Sequence, residues 1–469
     1  MLRPWKLEIQ INFECETPLY LQIVNALTNS IKSGKITAGN ALPGSRKLGS
    51  LLGVNRNTVV KALDILIVEG WLVARDRKGV FVNDQLPELL YPTEKIKDTS
   101  VKNVVKPMTS IIFDDGIPDP KIAPMDELAR AYRRVMHHSS RWKAIGYDAT
   151  QGSAEFRETI VQMLNFKRSL DINSAKLCIT RGSQMAMYLV AQVLITPGDK
   201  VIVEDPGYCK AWSAFSHAGA TIVPLQVDKD GISIEILKKL VATDTNIKAV
   251  YVTPHHQYPT TVTMSLQKRL QLINLSNQYG FTIIEDDYDH EFHYGKRPIL
   301  PISSYQQARH IIYVGSMSKI ITPVMRMGYL VAKPEFITKI IALRKIIDVQ
   351  GDIIMELALL DLINSGEFRR HLKRATSHYR QKRDRFSILL KEAFGNKATF
   401  SVPDGGLAFW VKPTQPFDAS LLREKLQSKG IEIMDPLKFS TTAVDGIRLG
   451  YARLTEVDFK RGISQIAVL

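Results

Sequence analysis

The chain has 469 residues, 45% of them hydrophobic, and a formal net charge of +15 from 62 Lys and Arg against 47 Asp and Glu. That length and apolar share exclude a disordered polyanion-binding tail and allow more than one core, while the positive balance favours polyanionic partners. The three cysteines, Cys15, Cys178 and Cys209, have no metal-ligand spacing and no apolar run reaches bilayer length, so a cytoplasmic protein without a metal site, signal peptide or membrane span is expected.

A first unit is expected over residues 12–84. Leu19, Ile23, Leu27 and Ile31 recur at every fourth position behind Pro18 until Gly34, which is the pattern of an amphipathic helix. Ser45 is placed to cap a short helix that ends at Gly53-Val54. A second helix then begins at Asn55-Arg56 and buries Val59, Leu63 and Leu66. Two helices about a glycine turn make a helix-turn-helix. Arg56, Asn57, Thr58 and Lys61 face outward at the start of its second helix, where side chains reach base edges and phosphates in a major groove. Trp71-Leu72-Val73 and Val80-Phe81-Val82 flank Asp76-Arg77-Lys78-Gly79, a hairpin whose basic tip can meet phosphate. Residues 85–110, with Pro87, Pro92 and Pro107 and no lasting period, read as a linker.

From Ile111 onward, short apolar strands alternate with helical segments, which predicts a mostly parallel sheet sandwiched by helices. The strand Leu177–Thr180 leads into Gly182, Ser183 and Gln184 at a helix start, whose free N–H groups suit an anion. Tyr208, after Asp205-Pro206-Gly207, could cover a planar ring. Phe281–Ile284 runs into Glu285-Asp286-Asp287-Tyr288-Asp289, carboxylates at the strand end where open α/β sheets bind ligands. Asp286 is the candidate to keep a pyridine nitrogen protonated, with Tyr288 on the same side. The strand Ile311–Val314 delivers Ser316, Ser318 and Lys319 into a loop, and Arg326 follows seven residues later where it could hold a phosphate. Long amphipathic helices, Phe336–Val349 and one from Met355 through the basic stretch Arg369–Arg385, lead to a final α+β subdomain containing Arg448 in a strand.

Two resemblances follow from these motifs. Leu42-Pro43-x-Ser45-Arg46, Leu52-Gly53-Val54-Asn55-Arg56-x-Thr58-Val59 and Gly79-Val80-Phe81-Val82 look like a GntR-type winged helix. That resemblance implies Arg46 and Arg56 as the main DNA-contacting arginines, supported by Thr58 and Gly79; Ser45, Asn57, Lys61, Arg77 and Lys78 complete the expected DNA-binding set. Arg77 stands where the family's wing usually has a glycine. From Ile111 to the C-terminus the chain resembles the fold-type I pyridoxal-phosphate enzymes of the aspartate-aminotransferase superfamily. The resemblance implies pyridoxal 5'-phosphate as cofactor, Lys319 as its Schiff-base lysine, Asp286 on the pyridine nitrogen and Tyr288 near the ring oxygen. It also implies a phosphate cup of Gly182, Ser183, Ser316, Ser318 and Arg326, beside Gln184. Arg448 resembles the arginine that takes a substrate carboxylate in a bidentate fork, and Lys210 could help it clamp an acidic effector.

A winged helix joined by a linker to such a domain resembles the MocR branch of the GntR regulators, to which Glu285–Asp289, His256-Gln257-Tyr258-Pro259-Thr260 and Ser318-Lys319 conform. The expected fold is therefore α/β: a winged helix-turn-helix, the linker, and an aminotransferase-like domain over 111–469. Its large part would run to about 345 and its C-terminal subdomain from about 346. Tyr258-Pro259 replaces the Asn-Pro that usually holds the ring oxygen, and Thr261 replaces a glycine, so transamination is expected to be poor. The resemblance implies a homodimeric regulator that binds double-stranded promoter DNA and senses pyridoxal phosphate, or an amine or amino acid that reacts with it. An active aminotransferase with an accessory DNA-binding domain is the alternative.

Overall fold

The computed structural model describes residues 9, 11–15, 17–76, 78–86, 111–137, 146, 149–295, 299–440 and 444–468. Arg77 and most of the expected linker lie outside the described residues. The chain divides into two compact units, Met1–Val104 and Val105–Leu469.

In the first unit, α1 (Leu19–Lys32), α2 (Ser45–Leu52) and α3 (Arg56–Val68) precede a hairpin of β1 (Leu72–Arg75) and β2 (Gly79–Val82). Their apolar faces meet in one core that buries Ile23, Leu27, Leu48, Val59, Leu66 and Val82. Gly53 ends α2 at φ 66°, and its N–H reaches the Gly49 carbonyl. Only a residue without Cβ adopts that left-handed turn at no steric cost, so the angle between α2 and α3 is written into the glycine. Ser45 does not cap α2 as expected. The helix begins on it, Gly44 is the cap residue without a side-chain bond, and Ser45 Oγ instead accepts from Arg56 Nε at 3.4 Å. Asn55 does cap α3, accepting from the Asn57 N–H at 2.9 Å.

In the second unit, β3 (Ile111–Phe113), α4 (Met125–His137) and α5 (Ala154–Arg168) come first. The sheet region follows as β4 (Leu177–Thr180), α6 (Gly182–Leu194), β5 (Lys200–Asp205), α7 (Cys209–His217), β6 (Thr221–Asp228), β7 (Gly231–Ile232), α8 (Ile234–Thr243), β8 (Ile247–Val252), α9 (Leu266–Tyr279), β9 (Thr282–Asp287), β10 (Ile311–Ser316) and β11 (Gly328–Val331). These strands form an eight-stranded sheet in the order β4-β11-β10-β9-β8-β5-β6-β7. Its centre, from β10 to β6, is parallel, and the pairings of β11 with β10 and β4 and of β7 with β6 are antiparallel. Alternate residues serve opposite faces. Val201, Val203, Tyr251 and Ile284 pack with Val190 and Phe215 of α6 and α7, while Ile202, Val250 and Ile283 pack with Leu237 and Leu272 of α8 and α9.

Then come α10 (Pro334–Ile347), α11 (Ile353–Asn364), α12 (Glu367–Phe394), β12 (Ala398–Phe400), β13 (Ala408–Pro413), α13 (Ala419–Ser428), β14 (Ile431–Ile433), β15 (Ile447–Gly450) and α14 (Glu456–Val468). The single helix expected from Met355 is two, because Gly366 at φ 77° ends one and begins the next. The helix expected to reach Val349 stops at Ile347, and Val349 itself is left-handed at φ 60°. β12, β13 and β15 form an antiparallel sheet. β14 pairs in parallel with β3 from the start of the unit, so Asp114-Asp115-Gly116 is brought back beside β15. Among the described residues no helix is long and apolar enough to cross a membrane.

Candidate cofactor and DNA-binding sites

The carboxyl ends of β5, β8, β9 and β10 converge, which is where parallel sheets collect ligand-binding side chains. β9 settles which of its three acidic residues is available. Glu285 and Asp287 share one face: Glu285 accepts from Ile302 N–H and Ser303 N–H at 2.7 and 2.9 Å, and Asp287 is paired with Arg168 of α5 and bonded by Tyr313 at 2.7 Å. Burial would raise Asp287, but Arg168, with His290 and Tyr313, holds its carboxyl far below the usual range. Asp286 points to the opposite face. Its Oδ2 accepts from Tyr251 of β8 at 2.9 Å, and its buried Oδ1 has no partner among the described residues. Burial pushes its pKa up to about 7, against the pull of the Tyr251 bond.

Lys319, just beyond β10, donates from Nζ to the carbonyls of Gly116 at 2.9 Å and Asp115 at 3.3 Å. Gly182 opens α6 at φ 75°, and a Cβ there would lie 2.9 Å from Arg326 Nη2. A bare backbone is what lets the guanidinium close over the helix N-terminus. Arg326, left-handed at φ 48° and exposed, donates to the Arg181 carbonyl at 3.3 Å. Ser316 Oγ accepts from the Ser318 N–H at 3.2 Å, and the buried Ser318 Oγ has no partner among the described residues. Ser183 follows Gly182 in the first turn, and Gln184 accepts from Tyr208 at 3.4 Å while donating to the Lys210 carbonyl at 3.1 Å. The Lys210 side chain is exposed.

Tyr258 makes edge contacts with Tyr208 and Tyr288 at 5.2 and 6.2 Å between centroids. Burial holds the Tyr208, Tyr258 and Tyr288 hydroxyls in the neutral form, well above the ordinary phenol value. Thr261 does take the left-handed conformation, at φ 63°, where the family's glycine would stand. Gln257 fastens this loop from both ends: its Nε2 reaches the Pro206 carbonyl at 2.8 Å and its Oε1 accepts from the Thr260 N–H at 3.1 Å.

Arg448 is buried, with its guanidinium 4.8 Å from the Tyr258 ring. It is not a free fork. Nε donates to Asp115 Oδ1 at 3.1 Å and Nη1 to the Pro259 carbonyl at 2.7 Å. Asp115, Tyr251, Gln257 and Arg168 are site-shaping residues that the sequence reading did not single out. Two of them left a signal: Gln257 within the motif around Tyr258, and Tyr251 as a polar-tipped residue inside an otherwise aliphatic strand.

In the first unit, Arg46, Arg56, Asn57 and Lys61 are exposed and Ser45 and Thr58 half-buried along α2 and the first turns of α3. Lys61 lies 3.9 Å over the Tyr20 ring. Lys78 is exposed beside Gly79, whose φ of 108° shapes the wing turn. Arg75 of β1 is tied back by Asp84 at 2.8 Å.

The aminotransferase class I and II family matches residues 116–466, and the bacterial regulatory proteins of the gntR family match residues 19–82. The probable rhizopine catabolism regulatory protein MocR of Rhizobium meliloti is 26% identical over 97% of this chain and 94% of its own length. Aromatic-amino-acid aminotransferase 1 of Thermococcus litoralis is 27% identical over 75% of this chain and 86% of its own. The crystal structure of Pyrococcus horikoshii kynurenine aminotransferase superposes with a TM-score of 0.72 at 27% identity, covering 76% of this chain and 90% of that one. The family implies pyridoxal 5'-phosphate, and the residues fit it. Asp286 Oδ1 suits a protonated ring nitrogen, and Ser318, Arg326 and the start of α6 suit a phosphate.

The carboxyl of Asp286 also yields a pH test. Its folded pKa of about 7 lies above the ordinary value of an aspartate, so its contribution to stability is present below about pH 4 and lost as pH rises through about 7. The thermal midpoint of the cofactor-free protein is expected to fall between about pH 5 and about pH 8, and to fall less in Asp286→Asn. Glu204, also pushed by burial up to about 7, acts with the same sign and remains in the variant. An identical slope in wild type and Asp286→Asn would assign the titration elsewhere.

A chain that carries a gntR-family winged helix in front of an aminotransferase domain, and aligns along nearly its whole length with regulators built the same way, belongs to the aminotransferase class I and II family in its MocR-type, GntR-regulator branch.

Proposed function

We propose that this protein regulates transcription by binding promoter DNA through Arg46 and Arg56 while its aminotransferase-like domain senses pyridoxal phosphate or an amine that reacts with it. The observation that carries the reading is Asp286 Oδ1, a buried acceptor without a partner among the described residues, in the same site as Lys319. The cofactor, when bound, supplies an aldehyde and an electron sink. Lys319 supplies the amine, Asp286 and Tyr251 orient the ring nitrogen, and Gly182, Ser183, Ser318 and Arg326 hold the phosphate. Tyr258, lacking the amide found at this position in the enzymes, leaves one polarising bond unmade, so retention of a ligand is favoured over turnover.

A ligand can move the DNA-binding unit only by its differential affinity for two arrangements. The Asp115-Gly116 segment is the element placed to feel it, because its carbonyls hold Lys319 and the Asp115 carboxylate holds Arg448. An amino acid must displace Asp115 from Arg448 to seat its carboxylate there; the cofactor, or an amine without a carboxylate, need not. Asp115→Ala is accordingly expected to tighten binding of amino acids by roughly tenfold, about 1.4 kcal/mol, without changing the affinity for pyridoxal phosphate alone. Spectral titration with each ligand reads both; equal affinities in wild type and variant would remove Asp115 from this role.

A homodimer in the cytoplasm would present two winged helices to two half-sites. The experiment that tests the whole reading is gel retardation of the gene's own upstream DNA with and without pyridoxal phosphate. Retardation insensitive to the cofactor would leave a DNA binder without a sensor. The likeness to the Thermococcus litoralis aminotransferase favours a second reading, turnover, which multiple cycles between an amino donor and a 2-oxo acid would establish.

A further inference from the structure

Three histidines outside the cofactor contacts come together in the second unit. His255, His256 and His293 each offer a ring nitrogen, and these atoms lie within 4.8 Å of one another. His255 and His256 are only 3% and 2% exposed. Both ring nitrogens of His255 and the Nε2 of His256 are buried with no hydrogen-bond partner among the described residues. A neutral imidazole carries one donor and one acceptor, and leaving either unmade in the interior is unfavourable. Two such rings side by side are an expensive arrangement unless something accepts their lone pairs.

The protonation pattern says what that something is. His256 Nδ1 lies 2.7 Å from Asp289 Oδ1. A carboxylate there accepts the hydrogen bond of Nδ1–H and leaves Nε2 as the bare nitrogen, the carboxylate–histidine pairing that orients metal ligands. His255, beside it, has both ring nitrogens without a hydrogen-bond partner among the described residues, so one of them is open to a cation. The nearby Arg168 charge is already matched by Asp287.

We infer that His255, His256 and His293 form a binding site for a divalent metal ion of the zinc type. Imidazole nitrogens select zinc and its first-row neighbours, whereas calcium and magnesium require oxygen ligands, which this trio lacks. Tetrahedral bonds of about 2.0–2.1 Å place ligand nitrogens about 3.3 Å apart, so small side-chain rotations close the site. Three imidazoles leave the fourth position to water, on the side of His293, the least buried of the three. His256 stands two residues before Tyr258 and Asp289 one after Tyr288, so the ion ties together the two segments that present those tyrosines.

The test is metal content of the full-length protein, stripped with chelator, re-equilibrated with a micromolar excess of Zn²⁺ and gel-filtered. About one zinc per chain is expected, with Co²⁺ in its place giving visible bands of a tetrahedral site. His255→Phe keeps the ring and removes the nitrogens, and is expected to abolish the stoichiometric zinc. Asp289→Asn is expected to weaken it about ten- to a hundredfold. Should His255→Phe fail to fold, His293→Gln at the partly exposed position reads the same loss. Wild-type protein that retains no zinc, or folded variants that retain as much as wild type, would overturn the site.

Discussion

Lys319→Ala is expected to abolish covalent capture of pyridoxal phosphate, the largest single effect in the molecule. In wild type, borohydride treatment after incubation with the cofactor labels one peptide, the one containing Lys319, and in the variant that label falls to background. The reason is placement. The side chain follows the end of β10, and its ammonium is held by the Gly116 and Asp115 carbonyls rather than by an acid. A carboxylate partner would pair with the charge, whereas carbonyls position the amine without an opposing charge. Non-covalent binding survives in the variant through Asp286, Ser318 and Arg326, so the cofactor is still retained at higher concentration. Lys319→Arg separates charge from chemistry: it keeps a cation near those carbonyls and is expected to be as unlabelled as the alanine. Labelling of either variant at the wild-type level would remove Lys319 from the site.

The second large effect is on DNA. Arg46→Ala with Arg56→Ala is expected to weaken binding to the upstream region roughly a hundredfold or more, since each arginine that reads a base pair or clamps a phosphate is worth about 1–3 kcal/mol. Both side chains are exposed, so the thermal midpoint of the variant should match wild type. Arg56 has a further tie, from Nε to Ser45 Oγ, which links the start of α3 to the start of α2 and aims both arginines from one platform. The wild-type affinity should fall linearly with the logarithm of salt concentration, with a shallower slope in the double variant because fewer counterions are released. Replacing Arg369 and Arg374 on the basic face of α12 serves as the control: Arg374 faces Glu127 there, 3.6 Å away, and no loss of DNA binding is expected. Equal retardation by wild type and the Arg46/Arg56 variant would place the DNA on another surface.

The sequence by itself determined the periodic and the local. Every-fourth-residue apolar spacing in α1, the glycine that turns α2 into α3, the aliphatic run of β9 and the lysine after β10 are set by φ limits and side-chain alternation within a few residues, and each is where those patterns place it. Local signals also misled where a competing contact was non-local. Ser45 looked like a cap and bonds Arg56 instead, and Gly366 divides a helix whose composition reads as continuous.

What only the tertiary structure decided is which groups are already satisfied. Three consecutive acids follow Ile284; Asp286 stands ready because Arg168 arrives from α5 to neutralise Asp287 and the Ile302-Ser303 backbone takes Glu285. Arg448 reads as a waiting fork until the pairing of β3 with β14 returns Asp115 to it, and two histidine segments far apart in the chain meet only when the β9 exit crosses the Tyr258 loop. Charge and hydrogen-bonding capacity in a buried site are properties of the neighbours that the folded chain brings within 3 to 4 Å, and sequence distance carries no record of them.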